Sequence, residues 1–430
     1  MNLSVVIPVR NQPACLRWTL ESLIRQTLDA AEFEVIVVDD GSTDHTASVA
    51  RSFTGRLPVT VVVNEVNRGR AYTRNRGAAL ARGEQLLFLD ADSYSPPDLL
   101  AGHRRRFAER SDDVVIGRRI ETGWWNFARL SRGEPITEPL SFEEDQRDCR
   151  GLTDSGNDFY ARTPWLYLCT HNTSLPAGLF AELGGFDEAL VGWGYEDNEF
   201  AYRAFRHFDR QPGHFRYAPE LVCYHLPHFR DWHREWAGTE AVLAYIKEKH
   251  RHFDVELLEH PPNHLRVAQT LPYYERAIAY LGQRYDHAAA KVVSDLIPAS
   301  GEDLWIGCGI DSVRDSGHRR VVFDHGLPHG DDNLHLLGTF LPYPDGSLST
   351  VVGMDLWRVL NPVDLSRFAM ESLRVAGTLL LAMSRNVVGD NERRIGLVAD
   401  ADYVRDMLAP RWPTAVIHDD DAVTVLRVGT

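Results

Sequence analysis

Glu196, Asp197 and Glu199 bring three carboxylates together directly behind Trp193-Gly194-Tyr195. Acids in the first turn of a helix are favoured by the helix dipole, by about 0.3–1 kcal/mol each, without any catalytic role. Glu199 followed four residues later by Arg203 is an ordinary helix pair. The dipole explains neither the Trp-Gly step before the acids nor Gly184-Gly185-Phe186-Asp187-Glu188 upstream. A carboxylate held there could instead take a proton from a substrate hydroxyl, which is general-base chemistry. A second acidic pair, Asp90 and Asp92 in "FLDADS", closes an apolar run. Side chains alternate along a strand, so both acids are expected on one side, where their repulsion calls for a cation or ligand hydroxyls. A hard divalent ion bridging to a diphosphate would relieve it. The plain alternative is that these acids merely end a strand.

The elements around these acids follow a regular rhythm. "LSVVIPV" (3–9), "FEVIVVDD" (33–40), "VTVVVNE" (59–65) and "QLLFLDAD" (85–92) are continuous Val/Ile/Leu runs, the pattern of strands buried on both faces of a parallel sheet. Helical spacing over 14–27, 43–53 and 69–82 separates them. The alternation predicts an α/β fold with a doubly wound, Rossmann-like nucleotide-binding sheet. Ligands of such sheets sit at the carboxyl ends of the strands, where Pro8, Asn11, Asp39, Asp40, Asp90 and Asp92 fall.

In this order and spacing, "VIPVRN", "VVDDGSTD", "NRGRAYTRNRG" and "FLDADS" resemble family 2 glycosyltransferases of the GT-A fold over about Asn2 to Ser95. The resemblance implies that Pro8 and Asn11 line the nucleotide pocket, that Asp40 accepts a hydrogen bond from the base with Asp39 beside it, and that Arg74 faces the base or diphosphate. It further implies that Asp90 binds ribose or metal and that Asp92 coordinates the metal. The chemistry is consistent with those roles, since uracil offers an N–H donor and ribose vicinal hydroxyls. The stretch "GGFDEALVGWGYEDNEF" is similar to the acceptor half of bacterial chondroitin-type polymerases and to the carboxy-terminal motif of galactosyltransferases. By that likeness Asp197 is the general base, Glu196 bonds the donor sugar or acceptor hydroxyls, and Trp193 stacks on a sugar ring. His225 in "LVCYHLPHF" would be a further metal ligand, with His228 as runner-up, and His171 would line the acceptor cleft. Imidazole mixed with carboxylate suits Mn²⁺ better than Mg²⁺.

The expected organisation is a GT-A domain over 1–232, with a lid at 123–165 and the acceptor half at 166–232. A helical linker (233–299) and a smaller Rossmann-like domain (300–430) follow. "DLWIGCGIDS" with the acid Asp324 in "RRVVFDH" resembles a class I methyltransferase domain. The third glycine, the first helix and the later acidic positions of that pattern are missing. A degenerate, non-catalytic domain is therefore expected, serving dimerisation or acceptor positioning, and S-adenosylmethionine is not its expected ligand.

A net charge of −15 over 430 residues argues against nucleic acid as a partner. Five scattered cysteines without CxxC spacing suit a reducing, cytoplasmic setting, and no run reaches the ~18 apolar residues of a membrane span. These readings together predict a metal-dependent, inverting transferase moving a hexose or N-acetylhexosamine from a UDP-sugar to a hydroxyl acceptor. A bifunctional transferase–methyltransferase and a non-catalytic nucleotide-sugar scaffold are the alternatives. Loss of the acidic motifs would mark the scaffold, and both motifs are present.

Overall fold

The computed structural model describes residues 2–132, 134, 162–192, 194–229, 236–260, 262–298, 301–314, 319–387 and 395–429. Two compact units make up the chain, Met1–Val242 and Leu243–Thr430.

The first unit is built on an eight-stranded sheet in the order β3-β2-β1-β4-β7-β6-β8-β5. Strands β1 (Leu3–Val9), β2 (Phe33–Asp39), β3 (Val59–Val63) and β4 (Gln85–Leu89) run parallel, as the continuous apolar runs require. Helices α1 (Pro13–Ile24), α2 (Thr46–Arg51) and α3 (Arg70–Ala78) alternate with them. The other half of the sheet is mixed: β7 (Asn172–Pro176) lies antiparallel to β4 and to β6 (Val114–Glu121). Beyond β6 come β8 (Phe215–His225) and the short β5 (Ser93–Tyr94). Leu3, Val5, Ile7, Val35, Val37, Leu87 and Leu89 form the centre of its core with Leu16 and Leu20 of α1.

Two local features aim the functional side chains. Helix α3 lies tight against β1 because residue 77 is glycine, and a Cβ there would stand 2.4 Å from Val6 Cγ1. That close approach lets Arg74, on the same helix, reach under the sheet's carboxyl edge. The acidic helix Glu196–His207 begins after two successive left-handed residues, Gly194 (φ +80°) and Tyr195 (φ +66°). Glycine adopts this conformation freely, whereas a side chain there carries strain of order 1 kcal/mol or more. Tyr195 is buried, and its burial holds the turn. Arg203 grips Glu199 (Nε–Oε1 2.9 Å) and also donates to the Gly185 carbonyl at 2.6 Å, tying the helix to the Gly-Gly turn. Glu199 and Arg203 thus serve structure, as their spacing implies.

The second unit carries a six-stranded sheet in the order β10-β9-β11-β12-β14-β13. Strands β9 (Glu302–Gly307), β10 (Arg319–Asp324), β11 (Thr350–Met354) and β12 (Thr378–Ser384) are parallel. An antiparallel pair, β13 (Thr414–Asp419) and β14 (Val423–Gly429), completes the sheet. The stretch expected as a linker contributes to this unit's interior. Ala289, Ala290 and Val293 share a core with Trp305 and Val352, and Tyr274 donates to Asp364 at 2.8 Å. After β9, where the sequence leaves too few residues for the usual first helix, there is a 3-10 turn, Asp311–Val313. Asp324 closes the glycine loop there, accepting from the backbone N–H groups of Gly309, Ile310, Asp311 and Gly326 at 2.7–2.9 Å.

Of the stretch expected as a lid, the helix Trp124–Ser131 and the 3-10 turn Pro164–Tyr167 are described. Most of the remainder lies outside the described residues, and so does Trp193. Among the described residues no helix is long and apolar enough to cross a membrane.

Candidate active site

Strand β4 ends at Leu89, so strict alternation stops before the Asp-x-Asp motif. The two acids consequently serve different partners instead of sharing one, contrary to the reading of both on one strand face. Asp90 accepts from Arg74 Nη2 at 3.0 Å. Asp92 is buried beside two histidines: His225 Nε2 lies 3.5 Å from its Oδ1 and His228 Nδ1 3.3 Å from its Oδ2.

Arg74 is the centre of the other cluster. Its guanidinium, 3% exposed, meets Asp90, Glu196 (2.9 Å) and Asp197 (3.4 Å) together. One cation thus joins the acid that follows β4 to both acids at the start of the acidic helix. The dipole at that helix N-terminus adds to the guanidinium in stabilising the carboxylates.

The two neighbouring acids differ in setting. Glu196 is 4% exposed by side chain, and its Oε2 is buried with no hydrogen-bond partner. Asp197 is 21% exposed. Thr170 holds both Asp197 oxygens, its Oγ1 donating to Oδ1 at 2.8 Å and its backbone N–H to Oδ2 at 3.1 Å. Burial pushes the Asp197 pKa up to about 6; Arg74 pulls against the rise and Glu196 adds to it. A carboxylate titrating there is ionised at neutral pH and basic enough to accept a proton.

On the nucleotide side, Asn11 sits at φ +52° and bridges the ends of β1 and β2. Its backbone N–H donates to Ser42 Oγ and its Oδ1 accepts from Thr43 N–H, each at 2.9 Å. Pro8 is half-buried within β1. Asp40, expected to meet a base, is engaged by its own chain: Oδ1 accepts from Asn64 Nδ2 and Arg68 N–H, and Oδ2 from Gly69 N–H, at 2.8–2.9 Å. It pins the loop that launches α3. Asp39 accepts from Ser42 N–H at 2.8 Å, while its Oδ2 is buried without a partner. His171, expected in an acceptor cleft, is buried at the start of β7.

Asp92, His225 and His228 offer one donor atom each within 4.8 Å of one another. Burial opposes charge on His225, but the Asp92 carboxylate and a bond to Glu121 outweigh it and raise its pKa. Burial likewise works against the Asp92 carboxylate, and His225, then His228, more than offset it, holding it well below the usual range. Glu121 Oε2 lies 2.8 Å from His225 Nδ1, the outer-shell arrangement that orients a metal-binding imidazole through its far nitrogen. The donor set therefore fits a divalent cation tolerant of nitrogen. Sequence reasoning missed Thr170 and Glu121. Nothing local marks either one, because each acts through a partner that only the fold brings near.

A family model described as glycosyl transferase family 2 matches residues 4–162, and one described as the N-terminal domain of galactosyltransferase matches 152–210. An uncharacterized glycosyltransferase, YfnE, of Bacillus subtilis (strain 168) is 30% identical over 299 residues, covering 61% of this chain and 74% of that protein. The chain belongs to glycosyl transferase family 2. Validoxylamine A glucosyltransferase of Streptomyces hygroscopicus subsp. jinggangensis (strain 5008) is 38% identical over 222 residues, or 48% of this chain. The chain spans about half of that relative, 51% of its length. Staphylococcus aureus TarS 1-349, solved in complex with UDP-GlcNAc, aligns at a TM-score of 0.43 and 23% identity over 57% of this chain and 65% of that one. The family 2 match covers Arg74, Asp90 and Asp92, and the galactosyltransferase match covers Thr170, Glu196 and Asp197.

Proposed function

We propose that the chain is an inverting glycosyltransferase that moves a hexose or N-acetylhexosamine from a UDP-sugar to a hydroxyl acceptor. The observation that carries this reading is Asp197: a partly exposed carboxylate on the Arg74 network with Asp90, its pKa pushed up to about 6. Asp197 takes the acceptor proton as the acceptor oxygen attacks the anomeric carbon. The bond from that carbon to the diphosphate oxygen breaks on the opposite face, and the nucleoside diphosphate departs. Glu196 offers Oε2 to a sugar hydroxyl, and Asp90 offers its exposed edge to ribose. Asp39 Oδ2 is better placed than Asp40 to accept from a base, because Asp40 is spent on its loop. Trp193 stacking on a sugar and a water-excluding lid over 123–165 belong to the same reading.

Asp92, His225 and His228 would hold Mn²⁺, and a bound divalent ion supplies charge neutralisation to a departing diphosphate. Replacing Asp92 with Ala is expected to remove the metal response of nucleotide binding. Wild-type protein with UDP should melt about 5–10 °C higher with Mn²⁺ than with chelator, for a ligand near a hundredfold its Kd. The variant should show the same melting point in both conditions, and an unchanged Mn²⁺-dependent rise would remove the metal assignment.

The direct test of the activity is a screen of nucleotide-sugars for Mn²⁺-dependent release of nucleoside diphosphate with and without hydroxyl acceptors; no release from any UDP-sugar would overturn the donor class. The pH profile is a second check. Asp197 must be ionised to act, so kcat/KM should be flat above its pKa and fall about tenfold per pH unit below about 6. A profile level down to pH 4.5 would exclude Asp197 as the base.

The C-terminal unit fits a non-catalytic role in dimerisation or acceptor positioning. Its glycine loop has its amides satisfied by Asp324, leaving them unavailable to S-adenosylmethionine.

A further inference from the structure

We propose that Thr170 is the positioning residue of the transfer reaction, fixing both the aim and the basicity of Asp197 by clamping its two carboxylate oxygens. The proposal rests on Asp197 being the base.

The clamp is bidentate and comes from one residue: a hydroxyl on Oδ1 at 2.8 Å and a backbone amide on Oδ2 at 3.1 Å. Glu196 next door receives no such grip; its Oε1 takes Arg74 and its Oε2 has no partner. A carboxylate held at both oxygens is restrained from rotating, so its partly exposed edge keeps a constant direction. Positioning of this kind contributes to rate because misplacement by an ångström is costly. Both donors also favour the charged form of Asp197.

Thr170 is itself locked. It is 1% exposed and lies in a tight turn closed by Thr173 Oγ1 donating to the Cys169 carbonyl at 2.7 Å. Two residues on, Asn172 bonds His103 Nε2 at 2.9 Å and donates to the Leu221 carbonyl at 2.8 Å. His103 in turn meets Ser174 at 2.8 Å, and Gln85 donates to the same serine at 3.0 Å. This buried polar ladder spans β4, β7, β8 and the helix Leu99–Glu109, and it begins two residues after Thr170 in the chain. Among the described residues, the charged groups facing Asp197 are Arg74 from α3 and Glu196 from its own helix, with Asp90 beyond the guanidinium.

The test compares Thr170→Val, which keeps the volume and the backbone donor but loses the hydroxyl, with Thr170→Ser, which keeps the hydroxyl. Each is measured for kcat, for KM of the donor, and for the pH dependence of kcat/KM with UDP-sugar, Mn²⁺ and a hydroxyl acceptor. Thr170→Val should lower kcat roughly tenfold with donor KM unchanged, and move the acid limb upward by about half to one pH unit. Thr170→Ser should restore the wild-type limb. If Thr170→Val melts below the assay temperature, Thr170→Ser decides alone, and an acid limb displaced in that well-folded variant overturns the clamp. A wild-type kcat and limb in folded Thr170→Val also overturn it. Asp197→Asn, run in parallel, separates the two readings. If that variant keeps its activity, the base assignment itself has failed. If it is inactive while Thr170→Val is normal, only the clamp has failed.

Discussion

Asp197→Asn should lower transfer roughly 10²–10⁴-fold while leaving UDP affinity intact. The amide keeps the shape of the side chain and can still accept from Thr170 Oγ1, but it cannot take the acceptor proton. Binding should survive because, on the proposed reading, Asp197 serves the acceptor and meets Asp90 through Arg74. Initial rates at saturating donor, with UDP binding by calorimetry, would check both halves. Activity within tenfold of wild type would remove Asp197 as the base, and lost UDP binding would place it on the donor side.

Arg74→Met should be the most destabilising single change in the first unit, by about 3–5 kcal/mol. Arg74 is 3% exposed and compensates Asp90, Glu196 and Asp197, so its loss strands the buried Glu196 and leaves two partly exposed acids beside it uncompensated. Removing the guanidinium also takes away the largest pull against the raised pKa of Asp197, which should climb further. Stability of the variant should therefore recover as pH falls toward 5 and Asp197 takes up a proton. Adding Glu196→Gln should restore part of the loss, since one of the buried charges is then gone. Thermal or urea melts of the two single variants and the double variant would show it. A cost under 1 kcal/mol for Arg74→Met, or no recovery in the double variant, would mean that the cluster is not held by this arginine.

Much of this was legible in the sequence because it is periodic. Continuous apolar runs named the four parallel strands, and the family resemblance named Asp197, Asp92 and His225. What the sequence could not show was how these residues are partnered. Asp40 reads as a free acid at a strand end, yet it is saturated by Asn64 and by two amides of the following loop. Asp90 and Asp92 read as one motif, yet a turn at Ala91 sends one to an arginine and the other to two histidines. Thr170 lies 27 residues from the acid it holds, and no local pattern links a threonine to a helix N-terminus at that distance. Each of these missed contacts is between residues far apart in sequence, where neither spacing nor propensity carries information.

Asp324 has a wider consequence. A glycine loop with three amides directed at one point is the part of a nucleotide-type fold most dependent on a guest. Here the next strand supplies the anion from within the chain. A loop satisfied in this way stays ordered whatever the small-molecule concentrations around it, so the C-terminal unit can act as a constant scaffold. The order of this loop is then supplied by the chain itself and needs no guest.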